Sequence, residues 1–178
     1  MNSLKIGISG VRGVVGETFT PELVVGFAQG FGTYLDSGRI LVCRDTRSSG
    51  PMARSAVLAG LLAAGCEVVD LGVCPTPSLQ LAVKWLGADG AVSITAGHNP
   101  EPWNALKFVR GDGLYLNATQ ADELLDIFHQ AEFAKATWEN IQSRVEERDA
   151  VSHHLETLAR AFDVESIRAR RLTVAVDC

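Results

Sequence analysis

Cysteine is scarce in this chain, and its arrangement excludes two chemistries. The four cysteines, Cys43, Cys66, Cys74 and Cys178, form no CxxC pair and stand at no zinc-ligand spacing to a histidine. They read as reduced structural thiols of a cytosolic protein. A basic surplus is also missing: 16 Lys and Arg face 21 Asp and Glu, a formal charge of −5. An acidic domain lacks the footprint of a nucleic-acid binder. No apolar run approaches the roughly 20 residues that span a bilayer, so no membrane partner is expected. The N-terminus has no charged segment ahead of a long apolar core, so no secretory signal is read. With 47% apolar and 21% charged residues, the 178-residue chain is composed as one globular domain.

Strand-like and helix-like segments alternate in what is present. Arg39–Cys43, Glu67–Leu71, Gly90–Ile94, Leu106–Val109 and Leu172–Val176 read as strands. Thr20-Pro21-Glu22 opens a helix as cap, first-turn proline and acid, with Val24, Phe27, Ala28, Phe31 and Leu35 on one face. Further helices open at Ser49-Gly50-Pro51, Thr76-Pro77 and a Thr119 cap, and a fifth is expected from about Val151 to Phe162. The order implies a three-layer α/β/α fold on a mixed, mostly parallel sheet. Composition shifts after Phe133. Residues 1–133 are therefore read as one domain, and 134–171 as a helical linker or extra surface helices. Residues 172–178 read as the first strand of a second domain, cut short.

Four polar loops sit where such folds carry chemistry. Gly7-Ile8-Ser9-Gly10-Val11-Arg12-Gly13 brackets an arginine with glycines, which let amides approach an anion. Arg44-Asp45-Thr46-Arg47 follows a strand, at the edge where open sheets bind ligands. It reads either as an anion grip or as an ion pair steadying the loop. In Thr95-Ala96-Gly97-His98-Asn99-Pro100, Gly97 and Asn99 tolerate positive φ, and successive amides can form an anion nest. His98 is the acid–base candidate. Asn104-Ala105-Leu106-Lys107 places an ammonium on a strand, where it needs an anionic partner or exposure.

Together, in this order, these segments resemble the first domain of the α-D-phosphohexomutases, which include phosphomannomutase, phosphoglucomutase and phosphoglucosamine mutase. Gly7–Gly13 looks like Gly-Thr-Ser-Gly-Ile/Val-Arg-Gly, Arg44–Arg47 like Gly-Arg-Asp-x-Arg, and Thr95–Pro100 like Thr-Ala-Ser-His-Asn-Pro. Asn104 to Lys107 is similar to Asn-Gly-x-Lys, and Val174–Asp177 to the first strand of the family's second domain. The resemblance implies an isomerase of carbohydrate metabolism that moves a phosphoryl group between O1 and O6 of a hexose through a phosphoserine and Mg²⁺. It implies that Arg12 holds charge near the transferred group, that Lys107 assists proton transfer and that His98 contacts substrate or acts as acid–base. Ser9, Arg44, Arg47, Asn99 and Asn104 are the implied phosphate- and substrate-binding residues. The implied partners are a hexose phosphate and the C-terminal domains of the same enzyme.

One departure stands out: the family's phosphoserine position holds Gly97. Glycine has no oxygen with which to form a phosphoester or to place a phosphate on Mg²⁺. The nearby hydroxyls of Ser93 and Thr95 lie off that position. No Asp-x-Asp-x-Asp metal loop occurs, so no metal ligand is expected within the chain. Taken alone, the chain is expected to be inactive. Gly97 fits an engineered inactive form, a natural member with altered chemistry, or a phosphosugar-binding pseudoenzyme, and the sequence does not choose among them.

Overall fold

A computed structural model describes residues 3–8, 10–142 and 145–177. Seven strands form one sheet in the order β1-β2-β6-β5-β3-β4-β7. These are β1 (Lys5–Gly7), β2 (Gly10–Val14), β3 (Arg39–Arg44), β4 (Glu67–Val73), β5 (Gly90–Ile94), β6 (Trp103–Arg110) and β7 (Glu146–Glu147). The helices are α1 (Pro21–Tyr34), α2 (Gly50–Ala63), α3 (Thr76–Trp85), α4 (Ala118–Gln130), α5 (Ala150–Ala161) and α6 (Val164–Ala169).

Side chains alternate along each strand, so one strand feeds two cores. Ile40 and Val42 of β3 pack with α1, α2 and α4, whereas Leu41 and Cys43 pack with α3 and the start of α5. This gives the expected three layers. The sheet is mixed: β3, β4, β5 and β7 run parallel, while β1, β2 and β6 supply three antiparallel pairings. Two of the antiparallel pairings arise where Gly7–Gly13 is read from sequence as a Gly-rich loop: Lys5–Gly7 pairs with Gly10–Arg12, and β2 pairs in turn with β6.

Thr20 caps α1 as expected, its hydroxyl accepting from the Leu23 N–H at 3.4 Å. The cap of α4 is Asn117, not Thr119. Asn117 accepts from the Gln120 N–H and Gln120 accepts from the Asn117 N–H, each at 3.0 Å, in a capping box. Residues 134–142 and 145–161 pack back on the domain. β7 adds to the β4 edge, the His153 ring stacks on Trp85 at 4.1 Å, and Ser78 hydrogen-bonds His154 at 2.8 Å. The apolar residues Leu155 and Leu158 of α5 and Phe162 at its C-cap are exposed rather than buried. Leu172–Val176 forms no strand; among the described residues no neighbouring strand pairs with it, and Leu172, Val174 and Val176 are exposed. Among the described residues no helix is long and apolar enough to cross a membrane.

Candidate functional site

Parallel pairing of β3 and β5 brings their carboxyl ends level, Arg44 opposite Ile94, and the Asp45 N–H bonds to the Ile94 carbonyl at 3.0 Å. The loops 45–49 and 95–102 therefore leave the same sheet edge side by side. On the α3 side of the sheet, helices cover β3, β4 and β5. The β2–β6 end of that face stays open. Arg12 and Lys107 project there, because their neighbours Val11, Leu106 and Phe108 fill the opposite core.

The result is a cleft of about 260 Å³ lined by Lys5, Arg12, Gly97, His98, Asn99 and Lys107, among others. Among the described residues no carboxylate lines it. Among the described residues Lys5, Arg12 and Lys107 have no ion-pair partner. Three unneutralised cations in a concave site favour a multiply charged anion. Arg12 and Gly97, from separate polar segments of the sequence, thus line the same cleft.

Lys5 is a cleft residue that the sequence reading missed. It stands opposite Arg12 in the β1–β2 pairing, and both cations sit over the Trp103 ring, at 5.8 and 5.9 Å from its centroid. The polar–apolar alternation of Lys5-Ile6 against Val11-Arg12 is the signal that could have revealed the hairpin.

Several expected ligand contacts turn out to be structural. Arg47 directs its guanidinium at the neighbouring loop's backbone: Nη2 donates to Gly97 O at 2.8 Å and Asn99 O at 2.7 Å, and Nη1 to Pro100 O at 3.0 Å and Trp103 O at 3.2 Å. Its Nε donates to Asp45 at 3.1 Å. All five of its N–H groups are thus engaged, leaving none for a phosphate. Arg44 donates to the Asp45 carbonyl at 3.0 Å and does not line the cleft. The ion-pair reading of this loop is the one the geometry matches. Asn104 is fully buried; its Nδ2 donates to Ser49 Oγ at 2.8 Å and its Oδ1 accepts from the Ala105 N–H at 2.8 Å. Ser9 lies outside the described residues.

The expected nest of amides is only partly open. The Gly97 N–H donates to Thr95 Oγ1 at 3.1 Å and the Asn99 N–H to the Ala96 carbonyl at 3.2 Å. Neither nearby hydroxyl is poised to replace a serine. Ser93 is buried against Thr76 at 2.9 Å and Cys43 at 3.6 Å, and Thr95 accepts the Gly97 N–H. Among the described residues no group of three His, Cys, Asp or Glu side chains could hold a metal. Together with the carboxylate-free cleft, this means the residues present do not fit a Mg²⁺ site.

Residues 3–135 match the family described as "Phosphoglucomutase/phosphomannomutase, alpha/beta/alpha domain I". A phosphoglucosamine/phosphogalactosamine mutase of Sulfurisphaera tokodaii is 40% identical over 173 residues, covering 96% of this chain and 38% of the relative. A phosphoglucomutase/phosphomannomutase of Thermococcus kodakarensis is 38% identical over 176 residues, with the same coverage. The crystal structure of a putative phosphomannomutase from Thermus thermophilus superposes with a TM-score of 0.79 at 28% identity, over 92% of this chain and 37% of the other. The chain thus spans less than two fifths of the length of these relatives.

Proposed function

The chain belongs to the phosphoglucomutase/phosphomannomutase family, matching its domain I, and from that premise we propose that its cleft binds the phosphate of a hexose phosphate within a phosphohexomutase. The observation that supports this reading is the convergence of Lys5, Arg12 and Lys107 on the loop Gly97–Asn99 in a cleft free of carboxylates. A phosphomonoester dianion is the ligand that such a set of donors neutralises best. In the proposed reaction Arg12 stabilises charge on the phosphate, and Lys107 and His98 exchange protons with the sugar hydroxyls. The interconversion of hexose 1-phosphate and hexose 6-phosphate belongs to carbohydrate metabolism in the cytoplasm, and three buried free thiols fit a reducing compartment. The Mg²⁺ expected of the family has no donor set among these residues, and no step is assigned to it.

A second reading, a phosphosugar-binding protein without mutase activity, is favoured by Gly97, which offers no oxygen to carry the phosphoryl group. An assay with glucose 1-phosphate and mannose 1-phosphate, on the protein as expressed from its gene and on Gly97→Ser, separates the two. Turnover only in Gly97→Ser identifies a lost nucleophile. Turnover with Gly97 in place excludes the non-catalytic reading, and turnover in neither removes support for the mutase.

A further inference from the structure

The loop Gly97–Asn99 contains three backbone amides, and their hydrogen bonds leave one of them distinct. The Gly97 N–H is taken by Thr95 Oγ1 and the Asn99 N–H by the Ala96 carbonyl. Among the described residues the His98 N–H has no partner. A free N–H at the rim of a cationic cleft is an unused anion donor.

Its direction is set from below the loop. The Gly97 carbonyl and the His98 N–H belong to one planar trans peptide, so they point in opposite directions. Arg47 Nη2 holds that carbonyl at 2.8 Å. Arg47 lies outside the cleft, whereas Gly97 and His98 line it. Pulling the Gly97 oxygen towards Arg47 therefore turns the His98 N–H towards the cleft. Gly97 has φ +60°, a conformation glycine adopts without steric cost. Three further carbonyls, of Asn99, Pro100 and Trp103, converge on the same guanidinium, whose side chain is only 10% exposed and is oriented by Asp45. One largely buried cation thus gathers the negative ends of these peptide dipoles on the side away from the ligand. The Ser48 hydroxyl bonds Glu101 at 3.2 Å, fastening the two loops, and Asn104 Nδ2 on β6 donates to Ser49 Oγ at 2.8 Å beside them.

We propose that the His98 backbone N–H is a binding donor for a phosphate oxygen, and that Arg47 is the positioning residue that aims it. The inference rests on the reading that this cleft takes a phosphate group. It gives Arg47 a role in binding without contact to the ligand. It also gives the 97–98 peptide a role that survives the absence of a serine side chain.

Amide spectra of the ¹⁵N-labelled chain, titrated with inorganic phosphate, test both parts. The His98 amide proton is expected to move downfield and saturate, with the Arg12 and Lys107 side-chain signals following the same curve. In Arg47→Ala the His98 response is expected to disappear, or its midpoint to rise at least about fivefold, as loss of charge-assisted bonds frees the loop. Should that variant fail to fold, Arg47→Lys is read in the same way. A lysine has three donors for four carbonyls and restores the response only in part. If Arg12 and Lys107 respond while His98 does not, the donor assignment is wrong and the phosphate reading stands. If none of the three responds, the phosphate reading fails and the inference with it. An unchanged His98 response in a folded Arg47 variant overturns the positioning role.

Discussion

A Cβ built on Gly97 meets one atom within 4 Å, the Lys107 ammonium at 4.0 Å. The position that carries a serine in the family pattern is thus sterically open here and faces a cation. Gly97→Ser is expected to fold, with its hydroxyl directed into the cleft. The cost is the left-handed φ of +60°, about 1 kcal/mol for a residue with a Cβ. Urea unfolding checks it: a lower midpoint at unchanged slope agrees, and loss of the folded baseline shows that the loop rejects a side chain.

Gly10 behaves oppositely. Its φ is +121°, and a Cβ there would lie 1.9 Å from the Leu106 carbonyl oxygen, a backbone atom fixed by the β2–β6 pairing. Gly10→Ala is expected to lose at least about 2 kcal/mol, because both conformation and contact are forbidden. Gly16, with φ +82° and nothing within 4 Å of its virtual Cβ, is the control. Gly16→Ala is expected to cost about 1 kcal/mol. Equal losses in the two variants would contradict the close approach of Gly10 to β6.

Asp70 is buried and bonded to Arg54 of α2, with its other oxygen accepting from the Gly72 N–H at 2.9 Å. Arg54→Ala leaves this carboxylate without its cation. A loss of roughly 2–3 kcal/mol is expected, below the range for a fully buried pair because the Arg54 side chain is 31% exposed. Thermal unfolding of Arg54→Ala and of the double variant Arg54→Ala/Asp70→Asn checks this. The second substitution is expected to recover part of the loss.

The thiols differ in their chemistry. Burial pushes the Cys66 thiol up to about 12. The Cys43 thiol is also raised well above its ordinary value, by its hydrogen bond to Cys74 and by burial, while the same bond lowers Cys74. Since the thiolate is the reactive form, alkylation of the native protein near neutral pH is expected to modify Cys74 ahead of Cys43 and Cys66. Peptide mass mapping over time reads the order. Cys66 labelled as fast as Cys74 would contradict it.

The layered architecture was legible in the sequence because its signals are local and strong. Thr20-Pro21-Glu22 opens α1, and the apolar runs at 39–43, 67–71 and 90–94 are buried strands. The β1–β2 hairpin was not, since Gly7, Gly10 and Gly13 mask a strand whose pairing with β6 is set by tertiary contact. In the site, Arg12, His98, Asn99 and Lys107, singled out from the sequence as candidate functional residues, line one cleft around Gly97. Arg44, Arg47 and Asn104 instead bond to the protein itself, because a polar residue that satisfies a loop backbone has the same sequence signature as one that binds a ligand. Only the count of donors already engaged separates them, and that count exists only in three dimensions. The apolar faces of Leu155, Leu158 and Phe162 predicted a helix correctly without predicting their exposure.

The central claim is that the cleft recognises phosphate on a sugar through Arg12 and Lys107. Calorimetric titration of the 178-residue chain with glucose 6-phosphate and with glucose tests it most directly, in the native chain and in Arg12→Ala and Lys107→Ala. Saturable binding of glucose 6-phosphate that weakens with added salt and falls in both variants, with no binding of glucose, is the predicted result. Equal binding of glucose, or glucose 6-phosphate binding untouched by loss of either cation, would contradict the account.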